Sequence, residues 1–460
     1  MAAFGLTEFI HGLTYDEVPP AVTRQGKRCL IELAGFAAAG RMTRLSTIVH
    51  DYAAAHCGAG RAPAAHRLFD GRAVSRAGAS FAGASTIDLL NAKEGHRLTK
   101  GHAGVALVPA LVALAQTTRR LDGREVLTAC IVGYEIATRT GLALHASASD
   151  YHTSGAWNAT GVAAMSARVL GLSYEATRHA PGIAEYHGPR SQMMRCIDHP
   201  TIVKDASSLS ALAGISAGDL AAAGFIGATA LTVEAEPLAA IWAGLGARWR
   251  IQEQYFKPWP VCRWAQPAIE AVAMLMREHR VCGDEIERIQ IGAFAEGARF
   301  GVALPATTEQ AQYALGPPVT AMVVRGVIGV AEIVANGLMD PLIADMLARI
   351  EVAVDLLLSA ECPARRRIAA TLRYAPMAAR GDPEEPLREA ELLDKCRGLA
   401  TGLGWSRRDG AEAAIFNLDA PTARADDLIN LLRSGLDSVT SKHQSDSARD
   451  ATSTRDEGKA

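Results

Sequence analysis

Along the first half of the chain the apolar positions fall three and four residues apart, the repeat of a helix with one buried face. After the Pro19–Pro20 pair, Val22, Cys29, Leu33 and Phe36 keep roughly that spacing, so the pattern predicts a helix within 17–45. It returns over 77–91, 105–116, 124–145, 157–170, 174–186 and 206–224, with Gly171, Gly214 and Gly224 as punctuation. Residues 46–66 are mixed and alanine-rich, and the pattern assigns them no element. Residues 101–104 break the series ahead of its most apolar helix.

The texture changes near Pro258. One more helix is predicted over 265–280, and then Ile289, Ile291 and Ala293 alternate with Gln290 and Gly292, a strand signature. Segments 350–354 and 367–374 read as two further short strands, and 389–399 as a helix leading back. The expected fold is mainly α: a large all-helical domain over 1–264, a smaller α+β lid domain over 265–394, and a return to the helical domain over 395–438. Residues 439–460 are polar, lack an apolar stripe and read as a disordered tail.

Composition narrows the class. Of 460 residues 49% are apolar, enough for more than one core, and alanine, the best helix former, dominates. The 47 basic and 49 acidic side chains leave a formal charge of -2, so there is no global field to draw in nucleic acid or an acidic membrane. Eight cysteines are scattered without a close pair, which argues against a zinc ribbon or an iron–sulfur cluster. The opening residues lack the pattern of a secretory signal, and no run is long and apolar enough to span a bilayer. These features predict a cytoplasmic protein with reduced thiols. The phosphate-binding G-x-x-x-x-G-K-[ST] loop is absent, as are H-E-x-x-H and G-x-S-x-G, and Gly244-Leu245-Gly246 lacks a third glycine and a preceding strand.

Four glycine- or proline-punctuated segments carry candidate chemistry. Segment 91–104 holds His96 and His102 in a loop, where a histidine can act as acid or base near neutrality. Segment 150–157 puts His152 at a helix start that Thr153 or Ser154 can cap. In segment 186–205, Tyr186, Arg190 and Arg195 precede Lys204. That lysine stands just before a helix N-terminus, where a cation is unfavourable unless an anion lies between them. Segment 256–264 brings Lys257 and Arg263 to the expected domain boundary, a common place for a ligand cleft.

These segments, in this order, resemble the MmgE/PrpD family. The resemblance rests on G-H-R-L-T-K-G-H-A-G at 95–104, G-Y-E at 133–135, Y-H-T-S-G at 151–155 and A-A-M-S-A-R-V-L-G-L at 163–172. It continues with I-V-K-D at 202–205, K-P-W-P-V-C-R-W at 257–264 and A-Q-Y-A-L at 311–315. It runs from about residue 20 to about residue 435. The family includes 2-methylcitrate dehydratase, cis-aconitate decarboxylase and iminodisuccinate epimerase. The resemblance implies a helical domain with an α+β lid, and a homodimer that needs no metal or organic cofactor. It also implies a small di- or tricarboxylate as substrate. His102 and His152 match the family's active-site histidines, and Lys204 and Lys257 match its substrate-facing lysines. The chain departs from the pattern too. Asn91, Lys93 and Glu94 stand where a D-x-D-D run is usual, Ala103 replaces a proline, and Pro317 replaces a frequent tyrosine.

The chemistry implied is removal of a proton beside a carboxylate, followed by loss of a β group, loss of CO₂ or return of the proton. The enolate-like intermediate needs fixed positive charge. Lys204 and Lys257 are expected to supply it, and Arg190 or Arg263 to clamp a second carboxylate. His102 is the first candidate for the base and His152 the second; His96 and Tyr186 are reserves for the acid, with Asn91 lining the pocket. A dehydratase-type lyase is the first expectation. An epimerase or decarboxylase, or a catalytically silent binding protein on the same fold, are the alternatives.

Overall fold

The computed structural model describes residues 5–118, 121–333, 337, 340–361, 369–370, 379–400 and 405–434. Its helical part is built from Pro20–Arg41, Arg44–His56, Arg76–Asp88, Gly104–Thr117, Gly123–Ser147, Gly155–Leu170, Tyr174–His187 and Ser207–Ala222. Several starts are capped as their sequences dictate. Ser75 accepts the N–H of Gly78, Asp122 that of Glu125, and Ser173 that of Ala176. Helix Gly155–Leu170 ends at Gly171 with φ +65°, the left-handed stop that glycine adopts without strain. The stretch that periodicity leaves unassigned contains most of helix Arg44–His56. Its stripe is only Leu45, Val49 and Ala53, too short to stand out from the surrounding alanines.

Small residues set the spacing of the bundle. A Cβ on Gly161 would stand 2.5 Å from that of Ala137, and one on Gly214 would stand 2.5 Å from that of Val162. Helices Gly123–Ser147, Gly155–Leu170 and Ser207–Ala222 therefore pack almost backbone to backbone. This explains how an alanine-rich sequence buries a continuous core.

The second part has a three-stranded sheet, order Ile350–Val354, Ile289–Ala293, Ala369–Ala370. The first pair is parallel, with Ile289 opposite Ile350 and Ala293 opposite Val354; the second is antiparallel. Ile289, Ile291 and Ala293 are buried and alternate with half-buried Gln290 and Gly292, as the sequence pattern predicts. Of the strand expected over 367–374, residues 369–370 are described; the tail expected over 439–460 lies outside the described residues. Helix Glu389–Leu399 comes back against Pro20–Arg41, with Cys396 close over Gly35. Among the described residues seven cysteines are free thiols, and no helix is long and apolar enough to cross a membrane.

Candidate active site

His102 ends a loop that joins helix Arg76–Asp88 to helix Gly104–Thr117. The loop folds on itself by a bridge between His96 and Gly101. It also pairs antiparallel with Gln254–Tyr255, Gly95 opposite Tyr255, which carries Lys257 over Asn91. The Nδ1 of His102 lies 2.5 Å from the backbone oxygen of Glu94. A carbonyl only accepts, so Nδ1 carries the proton and Nε2 is left with its lone pair. That nitrogen faces Asp205, 3.9 Å from Oδ2. Burial, together with the charges of Lys257 and Lys93, holds His102 well below the usual histidine value, so it stays neutral and able to take a proton.

The support beneath His102 is also buried. Glu94 accepts from the Gly104 N–H and the Tyr134 hydroxyl, both at 2.9 Å, and donates its own N–H to Glu32 at 2.6 Å. Burial and the neighbouring Glu32 push the Glu94 carboxyl up to about 8. Glu32 in turn is paired with Lys395 at 2.5 Å, from the returning helix.

Three buried lysines converge here. Lys257 donates to Asn91 Oδ1 and Lys204 to Gln312 Oε1, each at 2.6 Å. Gln312 Oε1 also accepts the backbone N–H of Asn91 at 3.0 Å, so one short chain of bonds links the two ammonium groups. Lys93 is different: it pairs with Asp88 at 2.5 Å. Burial opposes its charge, but Asp88 and Asp205 outweigh burial and hold it above the usual lysine value. Burial and then Lys93 lower the other two, Lys204 to about 8 and Lys257 well below its ordinary value. Both are capped by carboxamides, which orient an ammonium without neutralising it.

Asp205 accepts from Ser154 Oγ at 3.2 Å and from the Tyr313 hydroxyl at 3.4 Å. Burial and the charge of Asp88 raise its carboxyl. Lys204 and Ala206, on either side of it, have φ of 52° and 57°. For residues with a Cβ that conformation costs roughly 1–2 kcal/mol each. The double kink turns Lys204 and Asp205 inward together, a strained arrangement of the kind found at working sites. Ser154 does not cap helix Gly155–Leu170 as expected; its oxygen instead accepts the His102 N–H at 2.9 Å while bonding Asp205. A cleft of about 300 Å³ opens beside this cluster, lined by Thr153, Gln192, Arg195, His199, Thr201 and Lys204 among others. None of its lining residues among those described is acidic.

The other sequence candidates lie around or away from the cluster. His152 is half-buried, its Nδ1 2.8 Å from the Asp150 carbonyl, next to cleft-lining Thr153. His96 is buried with both ring nitrogens occupied, by Glu253 at 2.8 Å and by the Thr99 N–H at 3.2 Å. Arg263 is paired with Asp382. Arg190 is exposed, 3.8 Å from Glu185, and Tyr186 is 75% exposed. Sequence reasoning singled out neither Asp88, Ser154 as a partner of His102, Gln312 nor Tyr313. The last two sit in A-Q-Y-A-L, between Ala311 and Ala314. Pro317 lies in the first turn of helix Gly316–Arg325, and Tyr313 supplies a buried hydroxyl four positions earlier.

Residues 5–245 match the model of the MmgE/PrpD N-terminal domain, and residues 259–418 that of the MmgE/PrpD C-terminal domain. Over 115 residues the chain is 29% identical to the cis-aconitate decarboxylase-like protein oryM of Aspergillus oryzae. That stretch is 23% of this chain and 24% of the relative, so the match spans about a quarter of that protein's length.

Proposed function

The chain belongs to the MmgE/PrpD family, and from that premise we propose that it is a lyase of the dehydratase type. It removes a proton beside a carboxylate of a small di- or tricarboxylate. The observation that carries this reading is a neutral histidine with its Nε2 lone pair free, next to two buried lysines whose hydrogen-bond partners among the described residues are amides. An anionic substrate supplies the negative charge those lysines lack.

In the proposed reaction the substrate's C–H bond breaks and its proton passes to His102 Nε2. The electron pair moves into the adjacent carboxylate, whose growing charge Lys204 and Lys257 stabilise. The β C–O bond then breaks, and the leaving oxygen takes a proton to depart as water. Asp205, close to Nε2 and raised by burial, is placed to supply or relay that proton. Arg190 and Tyr186 have no part in this step. Arg263, already paired with the Asp382 carboxylate, positions that segment and does not clamp the substrate.

Decarboxylation is the second reading, favoured by the relative named as cis-aconitate decarboxylase-like. There a C–C bond breaks, CO₂ leaves, and the pair left on carbon takes its proton from the same group. The protein is proposed to act as a homodimer. Tyr186, Phe225, Ile226 and Leu231 are exposed along helix Tyr174–His187 and the segment laid against it, an apolar surface suited to a second copy.

The test is a panel of hydroxylated and unsaturated di- and tricarboxylates incubated in D₂O. Loss of water with deuterium exchange supports the first reading. CO₂ release supports the second. Exchange alone indicates an epimerase, and binding with neither exchange nor product would overturn both.

A further inference from the structure

Gln312 is fully buried, and its two amide ends have different fates. Oε1 accepts two hydrogen bonds, from Lys204 Nζ at 2.6 Å and from the Asn91 N–H at 3.0 Å. Both partners are donors only, so the oxygen's assignment is fixed and the NH₂ group must point elsewhere. That group has no hydrogen-bond acceptor among the described residues. A buried amide donor left without an acceptor costs about 1–3 kcal/mol. The neighbourhood explains why an acceptor belongs there. The NH₂ shares its carboxamide with the oxygen that holds cleft-lining Lys204, so it lies close to that ammonium. The hydroxyl of Thr153, buried in the cleft wall that also contains Lys204, is a second polar group without a partner among the described residues.

We infer that Gln312 is a substrate-binding residue whose amide NH₂ donates to one carboxylate of the substrate, while its oxygen holds Lys204 and the Asn91 loop in place. The carboxamide is suited to both tasks at once. A glutamate would neutralise Lys204 and repel the ligand, and an apolar side chain would free Lys204 from its orientation. Gln312 thereby selects ligands that put a carboxylate beside Lys204. The inference rests on the polycarboxylate reading above, and the experiment separates the two.

Binding of tricarballylate, glutarate and methylsuccinate is measured by calorimetry on the wild type and on Gln312→Met. Glutarate lacks the central carboxylate of tricarballylate, and methylsuccinate lacks a terminal one. For one of these two ligands, the wild type's preference for tricarballylate should shrink by roughly tenfold or more in Gln312→Met, because a hydrogen bond to a charged group is lost. Unchanged preference against both ligands overturns the inference and leaves the polycarboxylate reading standing. A wild type that binds none of the three overturns that reading and the inference with it. Gln312→Glu retains both acceptor bonds and so keeps the fold if the methionine variant does not. With the donor lost and a negative charge beside Lys204, tricarballylate binding should weaken by roughly tenfold or more, and wild-type affinity and preference in it overturn the inference.

Discussion

Lys257 is bonded to the side-chain oxygen of Asn91, at 2.6 Å, and not to a carboxylate. The difference is one atom in the side chain and one unit of charge in a buried pocket. An amide satisfies the ammonium's geometry and leaves its positive charge for the ligand. Replacing Asn91 by aspartate should raise Lys257 toward its ordinary value and weaken carboxylate binding about tenfold or more. Calorimetric titration with tricarballylate checks this; equal affinities would show that the Lys257 charge is not used for binding.

Removing the base should act on rate more than on affinity. His102→Ala is expected to lower turnover and substrate deuterium exchange by roughly 10²–10⁴-fold, the usual contribution of a positioned acid–base group. A residual rate within a few-fold of wild type would remove His102 from the reaction.

Ligand binding should take up protons. Lys204 loses its proton near pH 8 in the free protein, because burial and Lys93 disfavour its charge. A bound carboxylate favours the charged form and raises that value. Binding should therefore weaken as pH rises above about 8, with net proton uptake there, measurable in buffers of different ionisation enthalpy. For the unliganded fold the sign is opposite. A lysine depressed in the native state costs stability at lower pH, and that cost is relieved as pH rises from about 8 toward the ordinary lysine value. Lys204→Met should lose both effects.

Glu94 offers a second pH signature. Its carboxyl is raised to about 8, chiefly by burial and then by Glu32. The native state binds this proton more tightly than the unfolded chain does, so its contribution to stability is full below the ordinary glutamate value. It declines as pH climbs from there to about 8. Glu94→Gln keeps an acceptor for Gly104 and Tyr134 and should flatten that decline in melting temperature. The backbone oxygen that holds His102 is untouched, so activity should stay within a few-fold.

Gly104 starts the helix directly after Ala103, with no space above it. An added Cβ would stand 1.9 Å from the Tyr134 hydroxyl and 2.7 Å from Glu94 Oε1. Gly104→Ala should destabilise the protein by roughly 1–3 kcal/mol, the usual cost of overpacking. It should also lower turnover, since Glu94 carries the contact to His102. A melting curve and an exchange assay on the same sample test both effects.

Much of this protein is legible in its sequence because the signals are local. Helical periodicity locates the main helices of the bundle, alternation finds Ile289–Ala293, and the segments around His102, Lys204 and Lys257 mark the family and the candidate site. What a side chain meets across the fold is not local. Lys257 and Asn91 are 166 positions apart, and Lys204 and Gln312 are 108. Their pairing depends on the short strands Gly95–His96 and Gln254–Tyr255 and on the inward kink at 204–206. Sequence spacing carries none of these contacts, so Arg190 and Tyr186 looked as suitable as residues that the fold buries. Sequence alone determined the helical class, the family and the residue types available. Tertiary structure decided which charges are paired, which histidine nitrogen is left free, and which lysines are capped by amides instead of carboxylates. These depend on burial and on partners far away along the chain.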